Sequence, residues 1–235
     1  MTSVATTTLV KGARSTRSTI ALKLLMAASG VVFILFVLAH MAGNLWAFAG
    51  QQAFNDYAHH LRVLGEPMLP GNGALWVLRL GLLAALVVHV YCAVVLWQRA
   101  HNARTSRYVV KKNIASSFSS RMMRWGGLAL LLFIIWHLIN FTIGKVNVTG
   151  GPTNDPYNLL VDTFGVWWMT LIYLASMFAL AMHLHHGVWS SAQTLGLTNN
   201  AKARRNAKVL GWIVAVVIAG GFSLVPIAVL AGVIN

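Results

Sequence analysis

The chain has 235 residues, 57% of them hydrophobic and only 9% charged, with a formal net charge of +14. A soluble domain carries roughly 25% charged residues, so composition excludes an ordinary soluble fold and points to an all-α integral membrane bundle forming one domain, with no soluble module. The single cysteine, Cys92, excludes an intrachain disulfide, a thiolate cluster and an iron–sulfur site, and the motif for covalent c-type haem is absent.

The first 21 residues are rich in Thr, Ser and basic side chains and contain no acid. A transit peptide shares that composition, but the apolar run that follows is as long as a full span, and the tail reads as preceding an uncleaved first helix. Five spans of roughly 20 apolar residues, the length that crosses the hydrocarbon core as helix, follow in order. They run from Leu22 to Trp46, Leu75 to Leu96, Trp125 to Ile143, Phe164 to Trp189 and Val209 to Ile234. Between the first two, "QAFNDYAHHLRVL" places Phe54, Tyr57, Ala58 and Leu61 at helical spacing, as in an amphipathic helix lying on the membrane surface. His59 and His60 are solvated in that reading. Pro152 to Tyr157 reads as a turn-rich loop. Tryptophans recur at the span ends (Trp46, Trp76, Trp97, Trp125, Trp167, Trp168, Trp189 and Trp212), as in an interfacial aromatic belt.

The basic residues alternate between loops. The N-terminal tail holds Lys11, Arg14 and Arg17, with Lys23 beside it; seven more lie from Arg99 to Arg124; Lys202, Arg204, Arg205 and Lys208 precede the last span. The only acids, Asp56, Glu66, Asp155 and Asp162, all fall on the other side. The positive-inside rule then predicts a cytoplasmic N-terminus and an outer C-terminus in a multi-pass inner (cytoplasmic) membrane protein. The basic face is a topology signal and an expected docking face, with no nucleic-acid partner implied.

Four histidines stand alone within apolar runs on four consecutive spans: His40, His89, His137 and His183. Ionisable groups at such depth are a hypothesis of function by default, and a bundle core is where ligands on facing helices meet. Allowing for the alternating direction of the spans, His40 and His137 fall toward the outer side, while His89 and His183 fall in the inner half. Two bis-histidine b haems stacked across the bilayer fit this pattern. Zinc would want cysteine or carboxylate among its ligands, which the spans do not offer in suitable clusters, and a proton relay would add intramembrane acids, which the spans lack. In "AMHLHHGVWS", His183 and His186 share a helical face and His185 points away. His183 is the deeper and the expected ligand, His186 is the alternative or a contact for a propionate or quinone, and His185 reads as a solvated bystander. Gly43 and Gly187, each one turn from a ligand candidate, are positions where a macrocycle or a neighbouring helix would approach.

The segments "SGVVFILFVLAHMAGNL" and "HLHHGVWSSAQTLG", with one histidine in each of spans two and three, resemble the single-chain, five-span, di-haem cytochrome b subunit of succinate dehydrogenases and fumarate reductases. The resemblance covers nearly the whole chain. It implies the same pairing, His40 with His137 at a distal haem and His89 with His183 at a proximal one. It further implies a membrane anchor for a flavoprotein and an iron–sulfur subunit docked on the cytoplasmic face. The anchor carries electrons to or from a membrane quinone, menaquinone in bacteria with this anchor type. Candidate propionate contacts are Lys23, Arg17, Arg99 and His186; candidate quinone residues are Glu66, Asp56 and Tyr57 on the outer side and Ser29 on the inner. The rival readings are the di-haem anchor of another quinone-linked enzyme, such as a formate dehydrogenase or hydrogenase, and a haem-free transporter or structural membrane protein.

Overall fold

The computed structural model describes residues 18–103, 118–143, 145–149, 151 and 153–235, all of them helix, turn or irregular chain without a strand. The expected basic tail up to Arg17 and positions 104–117 of the basic loop between the second and third spans lie outside these residues. The elements are α1 (Thr19–Asn44), a 3-10 turn (Leu45–Ala49), α2 (Gln51–Val63), α3 (Gly73–Asn102), α4 (Phe118–Leu138) continuing into a π-helical turn (Ile139–Ile143), α5 (Pro156–Phe164), α6 (Trp167–Thr194) and α7 (Ala201–Leu230). Five of these, counting the turns that extend α1 and α4, are long and apolar enough to cross a membrane. This is an all-helical, multi-pass membrane protein.

Local chemistry sets the helix starts. Ser18 Oγ accepts from Ala21 N–H at 3.0 Å to cap α1, and Asn200 Oδ1 accepts from Ala203 N–H at 2.8 Å to cap α7. Asp155 caps α5, its carboxylate accepting from the N–H groups of Tyr157 and Asn158, with Pro156 at the first helical position. Side-chain oxygens there satisfy amides that lack an intrahelical partner. Helix therefore begins within the Pro152 to Tyr157 stretch expected to be a loop, and α5 buries Tyr157, Leu159, Leu160, Thr163 and Phe164.

Packing is tight where side chains are small. Ala207, Gly211, Ala215 and Ala219, four residues apart, are all buried on one face of α7. Small residues at that spacing let membrane helices approach closely, and α6 lies against this stripe. A Cβ on Gly211 would come within 2.7 Å of the His185 carbonyl oxygen. The main core lies at the end where α2 and α5 sit, with Phe164, Met169, Tyr173, Val225 and Val229 at its centre. Outward faces are apolar and bare: Val77 is 67% exposed and Leu80 61%. Such faces require lipid. Of α3 only Cys92 is buried, so this helix is the most peripheral of the five long ones.

Candidate functional site

The four intramembrane histidines come from four helices, and the structure brings them together in two pairs. His40 (α1) and His137 (α4) have ring centroids 5.8 Å apart; those of His89 (α3) and His183 (α6) are 6.1 Å apart. An imidazole nitrogen binds a first-row metal at about 2.0–2.1 Å, so two rings gripping one ion from opposite sides have centroids roughly 6 Å apart. All four residues are half-buried rather than closed into the core. The buried Nδ1 atoms of His137 and His183 find no hydrogen-bond partner. An unpaired polar atom in an apolar interior is costly, and a bond to a further group would relieve it.

Each pair has its own surroundings. His40 is stacked on Phe36 at 5.4 Å and tilted against Phe222, while His137 meets Phe133, Phe141 and Tyr173. His89 is edge-on to Phe33, and its Nδ1 lies 3.1 Å from Ser29 Oγ. The Ser29 hydroxyl has one proton, directed at the Leu25 and Met26 carbonyls 2.8 and 3.1 Å away. Its oxygen is then the acceptor for an Nδ1–H of His89, which leaves Nε2 with a free lone pair. A hydrogen bond on one ring nitrogen thus selects the other as a metal donor.

The two glycines expected beside ligand candidates have different surroundings. Gly43 is filled by Tyr57: a Cβ there would meet the phenol oxygen at 2.6 Å. Gly187 faces open space. The glycines that abut the paired histidines are Gly30, 3.6 Å from His89 Cε1, and Gly127, 3.8 Å from His183 Cε1, both measured from an added Cβ. Helix register alone does not show which neighbouring helix a glycine faces, so these two were not apparent in the sequence.

His185 makes contacts between helices. Its ring stacks on Trp212 at 4.2 Å and its Nδ1 lies 3.0 Å from Ser119 Oγ, joining α6, α7 and α4. Pointing away from His183 directs it into the helix contact rather than into water. His186 is half-buried on α6.

The other candidates scatter. Arg99 Nη1 donates to Thr19 Oγ1 at 3.0 Å, joining the ends of α3 and α1. Lys23 is exposed, and Arg17 lies outside the described residues. Ser29 sits against His89, as above. Tyr57 stacks on Trp46 and packs on α1 one turn beyond His40, whereas Asp56 and Glu66 are exposed.

A polar cluster beside His137 had no clear sequence signal. Asn140, fully buried in the π-helical turn, accepts from the Tyr173 hydroxyl at 2.8 Å and donates to the Val146 carbonyl at 2.8 Å. A π-turn inserts one residue into a helix and is frequent at functional sites. This one fixes the end of α4 just after His137 and holds the Tyr173 ring against it. Within "HLINF" a lone Asn gave no hint of this partner set.

Among the described residues no group of three or more His, Cys, Asp or Glu side chains is placed to hold a metal ion. The protein offers two donors per site. No protein-family model matches the chain, and no solved structure does. The chain is similar to the succinate dehydrogenase cytochrome b558 subunit of Bacillus subtilis (strain 168), with 24% identity over 172 residues that cover 73% of this chain and 77% of the relative. In its five apolar helices and in that shared sequence, the chain is similar to a succinate dehydrogenase cytochrome b subunit.

Proposed function

We propose that this chain is the cytochrome b anchor of a succinate:quinone oxidoreductase, holding one b-type haem between His89 and His183 and a second between His40 and His137. The observation that carries the reading is the convergence of four histidines from four helices into two pairs, each at the spacing of one metal ion. Two side-chain donors per site fit an iron whose other ligands come from a macrocycle, as haem iron held by histidine requires. The unpaired Nδ1 atoms of His137 and His183, and the absence of bulk at Gly30 and Gly127, fit a flat group lodged beside them.

Haem, when bound, supplies a one-electron couple. The chain's residues hold and tune it. Ser29 keeps the proton of His89 on Nδ1 and presents Nε2; Phe36, Phe133, Phe141, Tyr173 and Phe222 exclude water from the His40–His137 pair. Apolar walls and ring hydrogen bonds are among the levers that set haem potential, and the two pairs differ in both. Arg99, Lys23, Arg17 and His186 are the groups proposed for propionates. Tyr57, packed one turn beyond His40, is the better supported of the outer quinone candidates, with menaquinone the expected quinone. The N-terminus lies in the cytoplasm and the C-terminus outside the inner membrane, as the alternation of basic loops supports. The basic end then docks the flavoprotein and iron–sulfur subunits that the anchor role requires.

The test is the visible spectrum of the purified complex together with four single variants. Two b-type haems are expected, with succinate reducing at least one. His89→Ala and His183→Ala should each remove the same component, and His40→Ala and His137→Ala the other. A preparation without haem, or variants whose spectra match the parent, would overturn the reading.

A further inference from the structure

We propose that Arg62, Arg79 and Lys145 form a binding site for the phosphate of an anionic phospholipid, at the end of the bundle away from the basic loops. These three are the basic residues that break the charge alternation along the sequence, where the remaining fifteen of the 18 fall in or beside the tail and the two alternate loops. They arise far apart, in the last turn of α2, the second turn of α3 and the stretch after the π-helical turn. Yet all three line one cavity of about 420 Å³, together with Asn72, Asn154, Thr142 and Phe141.

The cavity wall has no carboxylate, although the four acids of the chain lie at this same end. Asp155 is occupied by Gln51, Asn55 and the start of α5, and Asp162 by Asn147 at 2.7 Å. Lys145 Nζ donates to Asn154 Oδ1 at 3.0 Å, which leaves two of its hydrogens, and the Arg79 guanidinium lies 5.2 Å from the Trp76 ring centre. Asn72 precedes α3 without its side chain capping the helix, so the amides of a 30-residue helix add partial positive charge beside the three cations. Three like charges around one space repel. A phosphate offsets them and accepts from guanidinium, ammonium and amide donors at once.

The surroundings choose the carrier. Trp76 and Ile143 (57% and 77% exposed) flank Arg79 and Thr142, and the bare apolar face of α3 continues from there. A lipid places its phosphate in the cavity and its acyl chains along that face; free phosphate uses only the polar half. Choline or ethanolamine on the headgroup would bring a further cation to the cluster, so an anionic headgroup such as phosphatidylglycerol is favoured. Basic pockets between membrane helices recognise such headgroups. This proposal does not depend on haem or on the anchor role.

The experiment measures lipid retained by the purified, delipidated protein, or by its complex, after incubation with phosphatidylglycerol, phosphatidylcholine or inorganic phosphate. Native mass spectrometry counts the bound molecules. Phosphatidylglycerol should bind at least about tenfold more tightly than phosphatidylcholine. The combined variant Arg62→Gln, Arg79→Gln, Lys145→Gln should lose at least that factor, and Arg79→Gln alone, which bears on the question if the triple variant does not fold, several-fold. Arg204→Gln with Arg205→Gln at the other end should leave retention unchanged. Equal loss in that pair would reduce the effect to general charge and overturn the proposal. So would inorganic phosphate binding as tightly as the lipid, or a charge-depleted variant that keeps its phosphatidylglycerol. If such a variant keeps its lipid but loses a haem component, the anion at this site is a haem propionate instead.

Discussion

Ser29 Oγ stands between the Leu25 carbonyl and His89 Nδ1, at 2.8 and 3.1 Å. In a helix interior a serine commonly returns its hydroxyl to the preceding turn; here the oxygen retains an acceptor lone pair, and His89 uses it. The hydroxyl therefore orients the ring and, with its own proton on a carbonyl of the preceding turn, favours the tautomer protonated at Nδ1. Partners of this type are worth 10–100-fold in metal affinity. If the proposed haem sites are correct, Ser29→Ala should lower the haem affinity of the His89–His183 pair by about that factor, measured by haem titration, and leave the His40–His137 component unchanged. Ser29 was visible in the sequence as a polar residue in an apolar run. Its partner, 60 positions away on α3, was not, because helical periodicity orders residues within one helix and says nothing of the rotation of its neighbour. The same limit explains the glycines: Gly43 accommodates Tyr57, and Gly30 and Gly127 abut the histidines.

Short elements set the ends of the long ones. The π-helical turn after α4 places Asn140 where Tyr173, Val146 and Thr163 satisfy its amide. Replacing it with an apolar residue of similar volume strands a buried hydroxyl and a carbonyl, each costing about 1–3 kcal/mol when unpaired. Asn140→Leu should therefore lower the unfolding stability by a few kcal/mol on that estimate, seen as a reduced melting temperature in detergent, and should perturb the His40–His137 component first because His137 is one turn away. Asp155 links α5 to α2. Burial pushes its carboxyl toward a higher pKa, but hydrogen bonds from the Asn158 N–H, Asn55, Gln51 and the Tyr157 N–H outweigh this and hold it below the usual carboxylate value. The unfolded chain binds this proton more tightly, so the contribution is fully present above about pH 4, the unfolded carboxylate range. It is lost as pH falls through the lower folded value. The difference in melting temperature between the parent and Asp155→Asn should stay level from neutral pH to about 4.5 and then shrink as pH falls further. The start of α5 lay in a stretch expected to be a loop because Asp-Pro signals a turn and an N-cap equally well. The apolar run that decides between them was short and merged with the next span.

Across the whole molecule, hydropathy and charge act at the scale on which a bilayer selects, and five spans could be read directly. The observed helices extend past several of the expected spans: α3 begins at Gly73 and reaches Asn102, and α7 begins at Ala201. Their polar ends continue as helix beyond the apolar stretch, because capping residues and tertiary contacts stop a helix and loss of hydropathy does not. The pairing of histidines by depth was also accessible, since position along a helix is a one-dimensional quantity at 1.5 Å per residue. The sequence by itself thus determined the class, the number of apolar helices and which histidines stand at the same height. Tertiary structure alone decided which side chains face one another: Ser29 with His89, His185 with Trp212, Asn140 with Tyr173, and three stray cations around one cavity. The physical reason is that partitioning into a membrane depends on composition summed along each segment, whereas contact depends on the rotation and tilt of each helix, which many small packing terms between segments set together.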